Sequence, residues 1–257
     1  MQSLQAGKLR VEVYPDRKKL GEAAAEALES FVCRRLQQKA RLRMVFASAP
    51  SQNEFIDALV QRTAVDWSRI EVFHMDEYIG LPEDAPQLFS RYLVDSLFDR
   101  VKPAAVHLID STNEVGQECR RYKELLQQEP IDAVCLGIGE NGHIAFNDPA
   151  VADFHDPALV KQVELDEVCR QQQVNDGCFP SLEAVPTQAI TLTIPALFSG
   201  DALFCMVPGR TKRQAVTDTL TGSISEACPA SILREHDNCR LYLDTESYDP
   251  VVQSRLS

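Results

Sequence analysis

Ala133-Val134-Cys135-Leu136 runs straight into Gly137-Ile138-Gly139-Glu140-Asn141-Gly142-His143-Ile144-Ala145-Phe146-Asn147-Asp148, and this junction decides how the fold is read. The four apolar residues, closed off by glycine, read as a buried strand. The Gly-x-Gly-x-x-Gly-His sequence that follows puts an imidazole on a loop whose backbone can come close to a ligand, because glycine carries no side chain. An accessible imidazole titrates near neutral pH and can take up and release protons during a reaction. Asn141 and Asp148 flank His143, and either can orient its ring. An isolated histidine in a tight turn is more often a structural hydrogen-bonding group, but polar flanks at a strand terminus turn the reading towards chemistry. The glycine count also matches the dinucleotide-binding fingerprint. Asn147-Asp148-Pro149 breaks the helix that fingerprint needs, so a nicotinamide site is rejected.

On the N-terminal side of this junction, residues 9–14 alternate as a strand and Asp16 is placed to cap a helix. Leu20, Ala24, Ala27, Phe31 and Leu36 then recur at helical spacing. Residues 43–47 form the next strand, and Ser51 with Glu54 has the capping-box pattern ahead of Phe55, Leu59 and Val60. A third strand at 70–73, a helical stretch around 89–97, a short strand at 106–109 and a helix at 118–126 lead up to the central strand. Beyond it come a long polar connection and two apolar runs, 189–194 and 202–207. Repeated strand–helix alternation predicts an α/β fold with a mostly parallel sheet and helices on both faces. No repeat, low-complexity tract or linker divides the sequence, so a single domain over 1–257 is expected.

The 257 residues, 44% apolar and 25% charged, have the composition of a soluble globular protein with a sizeable core. A net charge of −12 with no basic block argues against nucleic acid as a partner. An anionic substrate would therefore have to be met by local positive groups. No apolar run reaches transmembrane length and the N-terminus lacks a basic-then-apolar leader, so no membrane is expected. The eight cysteines are scattered without a Cys-x-x-Cys pair. Cys135 and Cys205 sit inside apolar runs, where cysteine behaves as a small hydrophobe, and reduced thiols in the cytoplasm are the simplest account.

In open parallel sheets ligands bind beyond the carboxyl ends of the strands, and four loops fall there. Ala47-Ser48-Ala49-Pro50-Ser51 precedes a helix, whose free amides and positive dipole end suit a phosphate; Pro50 removes one donor, and taken alone this is an ordinary turn. His74-Met75-Asp76-Glu77-Tyr78 presents adjacent carboxylates, which would repel if both were buried and ionised. One resolution turns one into the cleft, where a raised pKa makes it a competent general base, and pairs the other. The plainer reading is a solvated Asp-Glu turn. The third loop carries His143. In the fourth, Val207-Pro208-Gly209-Arg210-Thr211-Lys212-Arg213-Gln214, Thr211 with Gln214 again fits a capping box. That puts Lys212 and Arg213 in a helix's first turn, where cations oppose the dipole by about 0.3–1 kcal/mol each unless an anion binds.

Met75-Asp76-Glu77-Tyr78-Ile79-Gly80-Leu81-Pro82, together with Gly139-Glu140-Asn141-Gly142-His143-Ile144-Ala145-Phe146-Asn147-Asp148-Pro149, resembles the glucosamine-6-phosphate deaminase family, in a superfamily shared with 6-phosphogluconolactonase. The similarity runs from the first strands to the 209–212 turn and the strand near Leu241. It implies a Rossmann-like fold and conversion of glucosamine 6-phosphate and water to fructose 6-phosphate and ammonia. By motif position, Asp76 resembles the base that takes the C2 proton, and His143 the acid–base group that opens the pyranose. Asn141 and Asp148 hold the supporting positions, Asp148 being shorter than the family's usual Glu. Lys212 matches the lysine that binds phosphate. Ser48, Ser51, Glu77 and Gly142 are expected to complete the substrate site. The family's phosphate-binding arginine has no clear counterpart, and Arg170 stands as its substitute. The loop at 47–51 departs from the family's glycine- and threonine-rich form, and Pro149-Ala150-Val151 lacks the serine found in allosterically controlled members.

The expected partner is thus a phosphorylated amino sugar, and the chemistry requires no metal or redox cofactor, in keeping with the absence of a clustered metal-ligand signature. Three alternatives stay open: another hexosamine 6-phosphate, 6-phosphogluconolactone hydrolysis, and a non-catalytic sugar-phosphate sensor. The Asn-Gly-His-Ile and Met-Asp-Glu-Tyr sequences speak against the lactonase. A sensor needs neither a base nor a ring-opening acid. The sequence leaves a homo-oligomer open.

Overall fold

Strands buried at every position need cover on both faces, and three such strands form the centre of this molecule. They are β3 (Leu42–Phe46), β7 (Ala133–Leu136) and β10 (Ala202–Val207), each buried along its whole length. The computed structural model describes residues 2–256. Around the central strands lie β1 (Gln2–Ala6), β2 (Leu9–Tyr14), β4 (Ile70–His74), β6 (Ala105–His107) and β11 (Cys239–Asp244). The eight-stranded sheet has the order β1-β2-β11-β10-β7-β3-β4-β6 and is parallel at every pairing except β1 with β2.

The period-two alternation of strands sorts their side chains into two cores. Met44, Phe46, Val72, Cys135, Phe204 and Met206 pack against Leu20, Ala24 and Leu28 of the helix Arg17–Leu36 and Phe55, Ile56 and Leu59 of the helix Asn53–Val60. Val45, Phe73, Val134, Leu136, Leu203 and Cys205 face Tyr122 and Leu126 of the helix Val115–Gln127 and Val216 and Leu220 of the helix Arg213–Thr221. Asp16 caps the first helix by accepting from Lys19 N at 2.8 Å. All eight cysteines are free thiols, and burial pushes the Cys135 and Cys205 thiols up. No helix of the described residues is long and apolar enough to cross a membrane.

Connections from β3 run outward through β4 to β6, whereas those from β7 run the other way through β10 to β11. The sheet therefore has a switch point between β3 and β7, where a crevice opens at the carboxyl ends.

Two expectations need correction. The run at 189–194 does not extend the main sheet. As β9 (Gln188–Leu192) it pairs antiparallel with β8 (Val160–Glu164) and with β5 (Asp76–Tyr78), so Asp76 starts a short strand rather than lying in a loop. Neither capping box forms. Both helices are entered through 3-10 turns, Pro50–Gln52 and Arg210–Lys212, with no side-chain cap. Glu54 instead pairs with Arg17 at 2.6 Å and Gln214 donates to Asp218 at 2.9 Å, and Ser51 Oγ accepts from Gln52 Nε2 at 3.1 Å. The helical stretch around 89–97 is a helix, Phe89–Leu93, that continues as a π-turn over Val94–Phe98.

Candidate active site

The crevice at the switch point is a cavity of about 300 Å³, within the range of small-molecule sites. Ser48 and Ser51 line it from the end of β3, Asp76 from the start of β5, His143 from the loop after β7, and Lys212 from the turn after β10.

His143 owes its position to backbone. Gly139 N donates to His143 O at 2.9 Å and Gly142 N to Gly139 O at 3.0 Å, closing a tight turn. Within it the imidazole lies directly over Gly139. A Cβ there would stand 2.1 Å from Cε1 and from Nε2 of the ring, so only glycine leaves room. Gly142 has φ +84°, the left-handed region that the turn requires. Asn141 Oδ1 accepts from His143 N at 3.0 Å and lies 2.8 Å from Nδ1, while Asp148 Oδ1 lies 2.9 Å from the same nitrogen. The Asn141 amide is fixed in turn, since its Nδ2 donates to Asp148 Oδ1 at 3.0 Å. Both neighbours of Nδ1 are therefore acceptors. Nδ1 carries the proton, and Nε2 offers its lone pair. Burial pushes the Asp148 carboxyl up, but the bond and charge of His143 and the bond from Asn141 outweigh it and hold it below the usual carboxylate range. The short aspartate thus reaches the ring.

Asp76 and Glu77 leave β4 together and go to opposite fates. Glu77 accepts from Tyr78 N at 3.0 Å, Phe89 N at 3.0 Å and Ser90 N at 2.8 Å, with His74 Nε2 at 3.6 Å. Burial opposes its ionisation, but His74 and the Ser90 bonds keep its carboxyl below the usual range. Asp76, 5% exposed, has no hydrogen bond to its carboxylate among the described residues. Burial, then the charge of Glu77, raises its pKa well above the ordinary 3.8.

Lys212 is likewise buried, and its Nζ has no partner among the described residues. Burial lowers its pKa, against the pull of Asp176 and Glu140. An unpaired buried ammonium is costly, and on a cavity wall it is available to an anion.

Three residues read from the sequence as substrate contacts do not line the cavity. Glu77 is consumed in holding the Tyr78, Phe89 and Ser90 amides. Arg170 donates to the carbonyls of Leu182 at 2.6 Å and Val185 at 3.1 Å, bracing the 182–185 turn. Gly142 serves the turn, with its carbonyl bonded to Ala230 N at 2.8 Å. Two arginines that the sequence reading passed over do line it, Arg17 and Arg210. Arg17 is engaged by Glu54 and the Pro50 carbonyl, whereas Arg210 has no ion pair among the described residues and stands two positions from Lys212. That adjacency was the available signal. Gln172 was also missed; its Oε1 accepts from Glu140 N at 2.8 Å and steadies the His143 loop.

The chain is similar to known proteins. The family of glucosamine-6-phosphate isomerases/6-phosphogluconolactonase matches residues 15–242. A glucosamine-6-phosphate deaminase of Bacillus cytotoxicus is 33% identical over 240 residues, covering 93% of this chain and 88% of that protein. One from Bacillus thuringiensis is 33% identical over 229 residues, covering 89% and 84%. Among solved structures, a monomeric glucosamine-6-phosphate deaminase superposes with a TM-score of 0.83 at 28% identity, over 92% of this chain and 98% of that one. A 6-phosphogluconolactonase from Thermotoga maritima shares the fold, with a TM-score of 0.75 at 21% identity over 92% and 100%.

Proposed function

This chain belongs to the glucosamine-6-phosphate isomerase/6-phosphogluconolactonase family, and from that membership we propose that it is a glucosamine-6-phosphate deaminase of amino-sugar metabolism. The observation that carries the choice within the family is Asp76, a buried carboxylate without a hydrogen bond on the wall of the cavity that holds His143. Isomerisation needs a base for a carbon-bound proton, and lactone hydrolysis does not. The deaminase relatives are also the more similar in sequence.

His143 Nε2 takes the O1 proton of the closed sugar and returns it to O5, opening the ring, while Asp148 and Asn141 hold Nδ1 and stabilise the imidazolium that forms in between. Asp76 removes the C2 proton and delivers it to C1, while O1 takes up a proton and the C2 amine gives one up, so that the aldehyde becomes an alcohol and the amine an imine. The resulting C2 imine is hydrolysed by water to the ketone, releasing ammonia. Lys212 and Arg210 hold the phosphate, with Ser48 and Ser51 beside them. Eight free thiols suit a reducing compartment, the cytoplasm.

The test is ammonia release from several hexosamine 6-phosphates, with 6-phosphogluconolactone as control. Release from glucosamine 6-phosphate supports the reading. Lactone hydrolysis without ammonia from any hexosamine overturns it, and release from another epimer alone reassigns the substrate. Gly139→Ala is expected to lower turnover on the order of 10²-fold, because the added methyl must push the ring away from its position. Unchanged rates would mean that the ring can work from elsewhere.

Lys212→Ala is expected to weaken a competitive sugar-phosphate inhibitor by roughly ten- to a hundredfold, the worth of a charged hydrogen bond of about 1.5–3 kcal/mol. Because burial depresses its pKa, the charged lysine opposes folding below that pKa. The variant should therefore be the more stable at neutral pH, with the gain fading as pH rises towards the ordinary 10.5. Unchanged inhibitor affinity in a titration would move the phosphate to Ser48 and Ser51.

A further inference from the structure

Behind the ring of His143 lies a second cluster that the proposed reaction does not use as a whole. Ligand atoms of His143, Asp148 and Cys169 all lie within 4.8 Å of one another, and all three residues are buried. Imidazole nitrogen, carboxylate oxygen and thiolate sulfur are the three ligand types of zinc, and around a tetrahedral ion they stand about 3–4 Å apart. The Nδ1 hydrogen lies between Asn141 Oδ1 at 2.8 Å and Asp148 Oδ1 at 2.9 Å, and the Cys169 thiol turns its hydrogen to the Asp148 carboxylate. Three ligand types at this spacing suit a cation once the thiol gives up its proton. Asn141 Oδ1, 2.8 Å from Nδ1, supplies a fourth ligand atom.

We propose that His143, Asp148 and Cys169 form an inhibitory site for a thiophilic divalent cation of the Zn²⁺ class. On binding, the Cys169 thiol loses its proton to solvent and forms the metal–sulfur bond. The imidazole proton moves from Nδ1 to Nε2, and Nδ1 and Asp148 become ligands. No electrons are transferred. His143 then presents a hydrogen where it formerly offered a lone pair and cannot take a proton from a sugar hydroxyl. His143 lines the cavity, so the cation enters by the substrate's route and bound sugar phosphate protects against it.

Co²⁺ titration of the full chain tests the site without reference to turnover. Wild type is expected to develop intense visible bands of a four-coordinate ion and a near-ultraviolet thiolate-to-cobalt band, and Cys169→Ser is expected to lose the latter. Zn²⁺ is expected to inhibit ammonia release reversibly, with EDTA restoring it, and the inhibition constant should rise about tenfold or more in Cys169→Ser. Cys169→Ala serves if the serine variant does not fold. Absence of a thiolate band in wild type, or equal cobalt spectra and equal zinc inhibition in wild type and variant, overturns the proposal. A thiolate band dependent on Cys169 in a protein that releases no ammonia leaves this site standing and sinks the deaminase reading instead.

Discussion

Asp76→Asn is expected to lower kcat by about 10²–10⁴-fold, the span of a lost general base, while a sugar-phosphate inhibitor binds within a few-fold of wild type. The carboxylate lacks a hydrogen-bonding partner, and its pKa is raised first by burial and then by Glu77. A higher pKa makes it the stronger base, but it works only when ionised. The acid limb of kcat/KM should therefore lie at higher pH than an ordinary carboxylate would give. The same shift bears on stability. A carboxyl whose folded pKa exceeds its unfolded value opposes folding at high pH and ceases to do so once pH falls below the unfolded value. Asp76→Asn should thus melt at a higher temperature than wild type at neutral pH. That gain should disappear as pH drops below about 3.8. Thermal melts across pH, beside ammonia-release kinetics, check both statements. Near-normal turnover in a folded variant would remove Asp76 from the chemistry, and a lower melting temperature at neutral pH would mean that the carboxylate has a stabilising partner. Asp76 and Lys212 share this signature of a buried charge left unpaired by the fold, a local loss of stability of the kind found where function requires it.

What the sequence displayed was local period and local contrast. β7 and β10 are continuous apolar runs, so their bounds, 133–136 and 202–207, were legible to the residue. The Gly-x-Gly-x-x-Gly-His turn was legible because Gly139 must lack a side chain beneath the ring. The second sheet was not legible. β5 is three residues long and β8 alternates weakly, and both depend on β9, more than a hundred residues beyond Asp76, for their hydrogen bonds. One of the two missing caps fails for a related reason: Glu54 is drawn to Arg17, thirty-seven positions away, whereas Gln214 turns to Asp218 four positions on. Side-chain direction was the hardest to read. Nothing local distinguishes Asp76 from Glu77, and what separates them is that the amides of Phe89 and Ser90 arrive beside one of the pair. Arg170 looks free in sequence, yet the carbonyls of Leu182 and Val185 fold back onto it. Arg210 looks like one of three adjacent cations, and only the cavity singles it out. Ala145, with φ +51°, occupies the left-handed region beside the site without the glycine that usually marks such a position.

His143→Gln is expected to slow turnover of the closed sugar by about 10²–10⁴-fold and to leave C2-proton exchange on an acyclic, already open analogue within a few-fold of wild type. The geometry separates the two steps. The imidazole's free nitrogen is Nε2, since Nδ1 is committed to Asn141 Oδ1 at 2.8 Å and Asp148 Oδ1 at 2.9 Å. A neutral glutamine amide has no group of suitable pKa to take the O1 proton and return it to O5. Asp76 stands on another element, starts its own strand, and shares no hydrogen bond with His143, so its proton transfer at C2 should survive the change. Deuterium exchange at C2 followed by NMR, beside ammonia release from the closed sugar, measures both. Equal losses on the two substrates would show that one residue serves both steps and would end the division of labour. Asp148→Ala should act in the same sense but more weakly. Removing that carboxylate leaves Asn141 Oδ1 to hold Nδ1 in the same tautomer, whereas the charge that stabilises the transient imidazolium is lost. A loss in Asp148→Ala as large as in His143→Gln would mean that Asn141 alone cannot keep the ring aligned, and that the short aspartate is the principal support of the relay.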